Sequence, residues 1–233
     1  MPRFFAEILN HRSARITDRA AVHHITGPLR RRTGDELAIR VGPQGYRARI
    51  TGIRKESLLL EILREETLQD RCAGAIHLCL CLFDLRDMEE TLRYATELGV
   101  TAFHTAVSTR SSVRSITASR MARWHAIVQE AVKQCERRSI PPIHGPLPLE
   151  DLVRGVSRQW GLRLFAHRDA VQRVPAGVAG DAGIVIGPEG GFTPEEVRLM
   201  EADGMTPASL GGTTLRAVTS AIAAVGLLGQ EPS

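Results

Sequence analysis

The stretch from Gly183 to Gly204, "GIVIGPEGGFTPEEVRLMEADG", leaves few folds open. It reads as strand, loop and helix. Its apolar lead-in does not alternate, as expected of a strand covered on both faces in a parallel sheet. Thr193 stands at an N-cap, Pro194 at the first helical position and Glu196 at the third, which completes a capping box. Gly204 is the stop signal. The same alternation runs through the rest of the chain after residue 74. "AIHLCLCLF" is a continuous apolar strand, and "DLRDMEETLRYATELG" is a helix with Leu85, Met88, Leu92 and Ala95 on one face and Gly99 as its stop. "VTAFHTAV" is a strand. "SRMARWHAIVQEAVKQCERR" is a longer helix with an apolar stripe of Met121, Trp124, Val128, Ala131 and Cys135. A Pro-rich loop, "SIPPIHGPLPLEDL", comes next, followed by the short strands "LRLFAH", "AGIVIG" and "TPASLG". The fold class is α/β with a mainly parallel sheet.

The first third differs. "DELAIRVG", "GYRARITGIR" and "SLLLEILREE" are short strand-like runs divided by Gly, Pro and Ser, with a hairpin turn at "GPQGY". That spacing fits a small barrel. A charged connector, residues 64 to 74, marks the break. The charge divides at the same place: residues 1 to 70 carry 13 basic and 9 acidic residues, while residues 71 to 233 carry 17 of each. Only Lys55 and Lys133 are lysines, and arginine forks suit phosphates and base edges. The four cysteines, Cys72, Cys79, Cys81 and Cys135, form no CxxC and have no histidine at zinc spacing. They read as small apolar residues in a reducing compartment, so the expected metal content is none and the expected location cytoplasmic. No apolar run approaches the roughly 20 residues of a membrane span, and no secretory leader is visible.

The Gly187-Pro188-Glu189-Gly190-Gly191 loop lies at the carboxyl end of its strand, where open α/β sheets bind ligands. It matches neither a P-loop nor the spacing of a dinucleotide site. A second loop resembles it: after "ASL", Gly211 and Gly212 precede a helix with Leu215 and Arg216 in its opening region. A third strand end, "LFAHRD", precedes both. Together the three loops form one pocket rim. Arg216 stands at a helix start, where cations are not favoured, which points to a task beyond solvation or to a salt bridge.

These residues carry a resemblance. "HITGPLRRRTGDEL", "ATELGV", "TRSSV", "EAVKQCERRSIPPI", "IGPEGGFTPEE" and "LGGTTLRAVTSA" stand in the order in which similar stretches occur in RsmE-type 16S ribosomal RNA (uracil-N3) methyltransferases of the SPOUT superfamily. The resemblance covers nearly the whole chain. It implies a PUA-like, RNA-binding β-barrel over residues 1–70 and a SPOUT methyltransferase domain with a trefoil knot and a mainly parallel sheet over 71–233. It implies S-adenosyl-L-methionine in the knot, held by Leu164, Ala166, His167, Ile186, Gly187, Pro188, Glu189, Gly190, Gly191, Leu210, Gly211, Thr214, Leu215, Arg216 and Thr219. A homodimer is implied, acting on a decoding-region uridine of 16S rRNA in the small ribosomal subunit. The exposed apolar residues of the last helix, such as Ile222 and Val225, are candidates for the dimer surface.

Methyl transfer to uracil N3 needs in-line placement of two reactants and loss of the N3 proton, with a donor or cation for the developing negative charge. Arg216 is the candidate for that charge. Glu189 is a candidate base, or a group that orders backbone N–H groups. Arg30, Arg31 and Arg32, with Arg3, His24 and Arg110, are candidate RNA contacts. The chain departs from the family pattern "LR-x-E-T-A", with Val218 at the carboxylate position and Ser220 at the alanine. Tyr94 and the "FDLRD" stretch replace family lysines. Those departures define an alternative: a catalytically altered or inactive RNA-binding, ribosome-assembly relative with the same fold. A nucleotide-binding α/β oxidoreductase or transferase is a third reading.

Overall fold

The computed structural model describes residues 3–42, 44–66, 74–135, 137 and 139–230, so Cys72 lies outside the described residues. The chain divides into two units. The first takes residues 1–70 with 132–139, and the second takes 71–131 with 140–233.

In the first unit, strands β1 (Arg3–Phe5), β2 (Glu7–Asn10) and β3 (Ser13–Ile16) are followed by helix α1 (Arg19–Thr26). Strands β4 (Glu36–Val41), β5 (Gln44–Arg54) and β6 (Ser57–Glu66) complete it. The strand order is β1-β4-β5-β6-β3-β2. Only Ala6 separates β1 from β2, yet they are the two edges of the sheet. Neighbouring Cα atoms lie about 3.8 Å apart, so a single linking residue brings those edges together and the sheet must curl into a barrel. Its interior is aliphatic, with Ile16, Leu37, Ile39, Ile50, Leu58 and Leu60 at most 1% exposed.

In the second unit, β7 (Ile76–Cys81), α2 (Leu85–Glu97), β8 (Ala102–Val107), α3 (Ala118–Gln134) and β9 (Ile143–Pro148) come first. Helix α4 (Leu149–Arg154), β10 (Leu162–Ala166), β11 (Ala182–Ile186), α5 (Pro194–Ala202), β12 (Thr206–Ala208) and α6 (Ala217–Leu228) follow. The sheet runs β12-β10-β11-β7-β8-β9, with every pairing parallel. Side chains alternate across it. In β7, Leu78 and Leu80 face a core shared with α2, α3 and α6, which supply Met88, Leu92, Trp124, Val128, Ala221, Ala224 and Val225. Cys79 and Cys81 face the opposite core, with Leu152, Val153, Trp160, Phe165 and Met200. Both thiols are free and fully buried, and burial pushes Cys81 up to about 12.

The structure corrects two expectations. The Pro-rich stretch is not all loop: Ile143–Pro148 is a strand and Leu149–Arg154 a helix. As the terminal strand, β9 tolerates Pro146, which has no N–H to donate, beside a register break opposite His104 and Ala106. Val225 offers no dimer surface, because it is fully buried in its own chain's core; Ile222 is half-buried.

Candidate active site

Five loops leave the carboxyl ends of β7, β8, β10, β11 and β12. Three of them, after β10, β11 and β12, enclose an open cavity of about 510 Å³. The glycine loop after β11 keeps its shape through a few bonds. Gly191 is left-handed, with φ of 66°, and its N–H donates to Pro188 O at 2.8 Å. The loop ends in the capping box that the sequence indicates: Thr193 Oγ1 accepts the Glu196 N–H at 3.3 Å, and Glu196 Oε2 accepts the Thr193 N–H at 2.8 Å. Phe192 packs edge-on against Phe165, centroids 6.1 Å apart. The loops after β10 and β12 start from a shared pairing, where the His167 N–H donates to Ala208 O at 3.0 Å.

The cavity is lined by Ala166, His167, Ile186, Gly187, Pro188, Glu189, Gly190, Gly191, Leu210, Gly211, Thr214, Leu215 and Arg216, as read from the sequence. Leu164 is not brought to it. It lies two residues before Ala166 on the same side of β10, fully buried in the core. Thr219 is exposed on α6 but does not reach the cavity, whereas Ser220, one helical turn after Arg216, does. Sequence reasoning also missed Arg168, Asp169, Phe192, Ala208, Thr213 and Ala217. Asp169 Oδ1 accepts from Arg168 Nε at 3.1 Å, and that bond holds its carboxyl below the ordinary range.

Arg216 is the N-cap residue of α6 and makes no side-chain capping bond. No carboxylate pairs with it among the described residues. Glu189 Oε1 accepts the Asp84 N–H at 3.4 Å, linking the glycine loop to the start of α2. Val218 does not line the cavity and packs against the core.

Of the RNA-contact candidates, His24, Arg30 and Arg32 are exposed and Arg31 half-exposed, around the turn that ends α1. That turn is well held: the Arg31 N–H donates to Ile25 O at 2.9 Å, and the Arg32 N–H to Asp35 Oδ2 at 2.9 Å. Among the described residues no carboxylate pairs with these three guanidinium groups. The side chain of Arg3 lies outside the described residues. Arg110, in the second unit, instead donates from Nη1 to Gly190 O at 2.6 Å.

The histidines are less scattered than the sequence implies. His77 Nδ1 and His104 Nε2 lie 3.2 Å apart, and His144 stacks on His104 with centroids 5.2 Å apart. Among the described residues no group of three or more His, Cys, Asp or Glu side chains is arranged to hold a metal, and no helix is long and apolar enough to cross a membrane.

A family model described as an RNA methyltransferase domain matches residues 70–229. A ribosomal RNA small subunit methyltransferase E from Synechocystis is 33% identical over 213 residues, covering 86% of this chain and 68% of the relative. The chain belongs to the RsmE family. A member from Mycobacterium tuberculosis is 34% identical over 151 residues, or 60% of this chain and 57% of the relative. Among solved structures, the Neisseria gonorrhoeae enzyme bound to S-adenosyl methionine superposes with a TM-score of 0.78 at 29% identity, over 97% of this chain and 95% of that one. A Legionella pneumophila protein in complex with the same cofactor gives 0.77 at 27%, over 96% and 94%. The fold is therefore the family's, SPOUT-type, with a mainly parallel sheet in the second unit and a barrel-like sheet in the first.

Proposed function

We propose that this RsmE-family chain transfers the methyl group of S-adenosyl-L-methionine to N3 of a decoding-region uridine in 16S rRNA of the small ribosomal subunit. The observation that carries the reading is the cavity built from three adjacent strand-end loops, with an arginine at its edge that no described carboxylate pairs, in a chain of this family. The cofactor supplies the activated methyl group on a sulfonium. The glycine loop and the loops of His167 and Leu210–Arg216 hold it by main-chain groups and apolar strand ends. As N3 loses its proton to solvent at the open cavity, negative charge develops on the uracil ring, and the incoming methyl group cancels it. Arg216 meets that charge, and no ion pair among the described residues has to break first. Glu189, bonded to the Asp84 N–H, orders the loop rather than taking the proton. The barrel of residues 1–70 holds rRNA phosphates through Arg3, His24, Arg30, Arg31 and Arg32. The protein works in the cytoplasm as a homodimer.

The alternative, an inactive relative, rests on Val218. The place of that side chain against the core, away from the cavity, weakens it.

The test is methyl transfer from radiolabelled S-adenosylmethionine to small subunits lacking the modification, with nucleoside chromatography of the product. A 3-methyluridine peak is expected. Cofactor binding by calorimetry without transfer to any rRNA would favour the inactive relative, and a different methylated nucleoside would move the target.

A further inference from the structure

The peptide between Gly190 and Gly191 sits in the middle of the glycine loop, flanked by two residues without a Cβ. Such a peptide has little steric resistance to flipping. It is nevertheless pinned at both ends. Its N–H donates to Pro188 O, and its C=O accepts from Arg110 Nη1 at 2.6 Å. The same Nη1 reaches Phe192 O at 3.3 Å. Close packing accompanies the bond: a Cβ placed on Gly190 would lie 3.3 Å from Arg110 Cδ.

Arg110 itself stands on a braced turn. The Ser108 N–H donates to Ser111 Oγ at 3.1 Å, and Arg114 donates to Ser108 O at 3.0 Å and Thr109 O at 2.6 Å. A second link runs through Glu196, only 8% exposed. Its Oε1 accepts the Thr109 N–H at 2.7 Å while Oε2 serves the capping box at Thr193. One carboxylate thus fastens the turn after β8 to the end of the cofactor loop. Neither Arg110 nor Glu196 lines the cavity.

We propose that Arg110 and Glu196 are positioning residues that fix the Gly190–Gly191 peptide, so that cofactor affinity is set in part by the turn at 108–111, and that Arg110 is not an RNA contact. This rests on the reading that the cavity holds S-adenosylmethionine.

The test uses the full-length protein with S-adenosylmethionine and small-subunit rRNA particles. Arg110→Ala is expected to weaken cofactor binding, read by calorimetry, about ten- to a hundredfold, the range for losing a charged hydrogen bond. Particle affinity and its salt dependence should stay as in the wild type. Arg110→Lys should recover part of the loss, since an ammonium can still reach one carbonyl. Glu196→Gln should weaken cofactor binding in the same sense, because its amide NH2 faces a backbone donor. Thermal melting of each variant checks the fold, and Arg110→Gln replaces the alanine variant if that one does not fold. Cofactor affinity within twofold of wild type in Arg110→Ala overturns the proposal. So does a weakened particle affinity with a salt slope reduced by about one, the mark of a lost phosphate contact. Absence of cofactor binding in the wild type would sink the cofactor reading itself, a separate failure.

Discussion

Arg216 shows how far single residues speak. Its place at a helix N-terminus, where a cation is disfavoured, is legible in the sequence alone, and the fold leaves it exposed, without a capping bond, beside the cavity. Arg216→Ala should lower the single-turnover methyl-transfer rate about a hundred- to a thousandfold, as for loss of one group that stabilises transition-state charge. Arg216→Lys should recover little, because an ammonium lacks the planar fork. Val218 teaches the opposite lesson. A motif comparison marks it as a departure near the chemistry, but the side chain turns to the core. Val218→Glu should therefore change turnover less than about threefold and cost some stability, read together by rate assay and melting. The misread residues share a cause. A strand end says that side chains emerge, not at which residue, so Leu164 is too deep where Ala166 is in place. On α6 a turn of 3.6 residues brings Ser220 under Arg216 and carries Thr219 aside. Arg168 and Asp169 lie in a loop, where no period exists to read.

Elements are more legible than their neighbours. The capping box at Thr193, the helix stop at Gly99 and the bare apolar strands of the second unit are local signals, and each formed. The strand Ile143–Pro148 is not legible, because its prolines satisfy the pattern of a loop and only its place at the sheet edge makes it a strand. Pairings between elements are equally silent in a single sequence. Trp160 lies over Gly183 of β11, where an added Cβ would stand 1.9 Å from its ring. The glycine is there for the indole, and a ring stack continues the contact onto His77, centroids 5.6 Å apart. Gly183→Ala should destabilise the fold by about 1–3 kcal/mol, the usual cost of overpacking, with a shift in Trp emission, checked by urea unfolding. Glu89 is a similar case. From α2 it takes Arg123 in two bonds, 2.7 and 2.8 Å, and Arg120 in one of 2.6 Å, both from α3.

At the scale of the whole molecule, the break in charge and pattern near residue 70 tells of two parts. The return of residues 132–139 to the first unit is invisible in the sequence, since α3 keeps one helical pattern across residue 132, as far as Gln134. Also invisible is the gathering of His77, His104 and His144 from three separate strands, and it predicts how stability responds to acid. His104 is 7% exposed, and burial first, then its two histidine neighbours, pull it down from 6.5 to about 4. His77 moves the same way by burial, against the pull of Asp181. In the fold His104 is neutral above pH 4, whereas in the unfolded chain it takes a proton below 6.5. Between those values the unfolded state binds more protons, so stability falls as pH is lowered from 6.5 to 4 and this contribution changes no further below. Asp203 acts in a lower window. Hydrogen bonds from Arg158 and Arg163 hold it at about 2 against 3.8, so its stabilisation is lost only as pH falls from 3.8 toward 2. Denaturant midpoints taken from about pH 7 to about pH 2 should therefore decline in two stages. His104→Gln should shrink the upper stage, to which His77 also contributes, by at most about 1.4 kcal/mol per pH unit for its one proton, and leave the lower one. Asp203→Asn should shrink the lower stage, to which Glu89 and Asp169 also contribute, and leave the upper one. An upper stage unchanged in His104→Gln would mean that the stacked histidines take up acid without loss of packing, and that some other group sets the response.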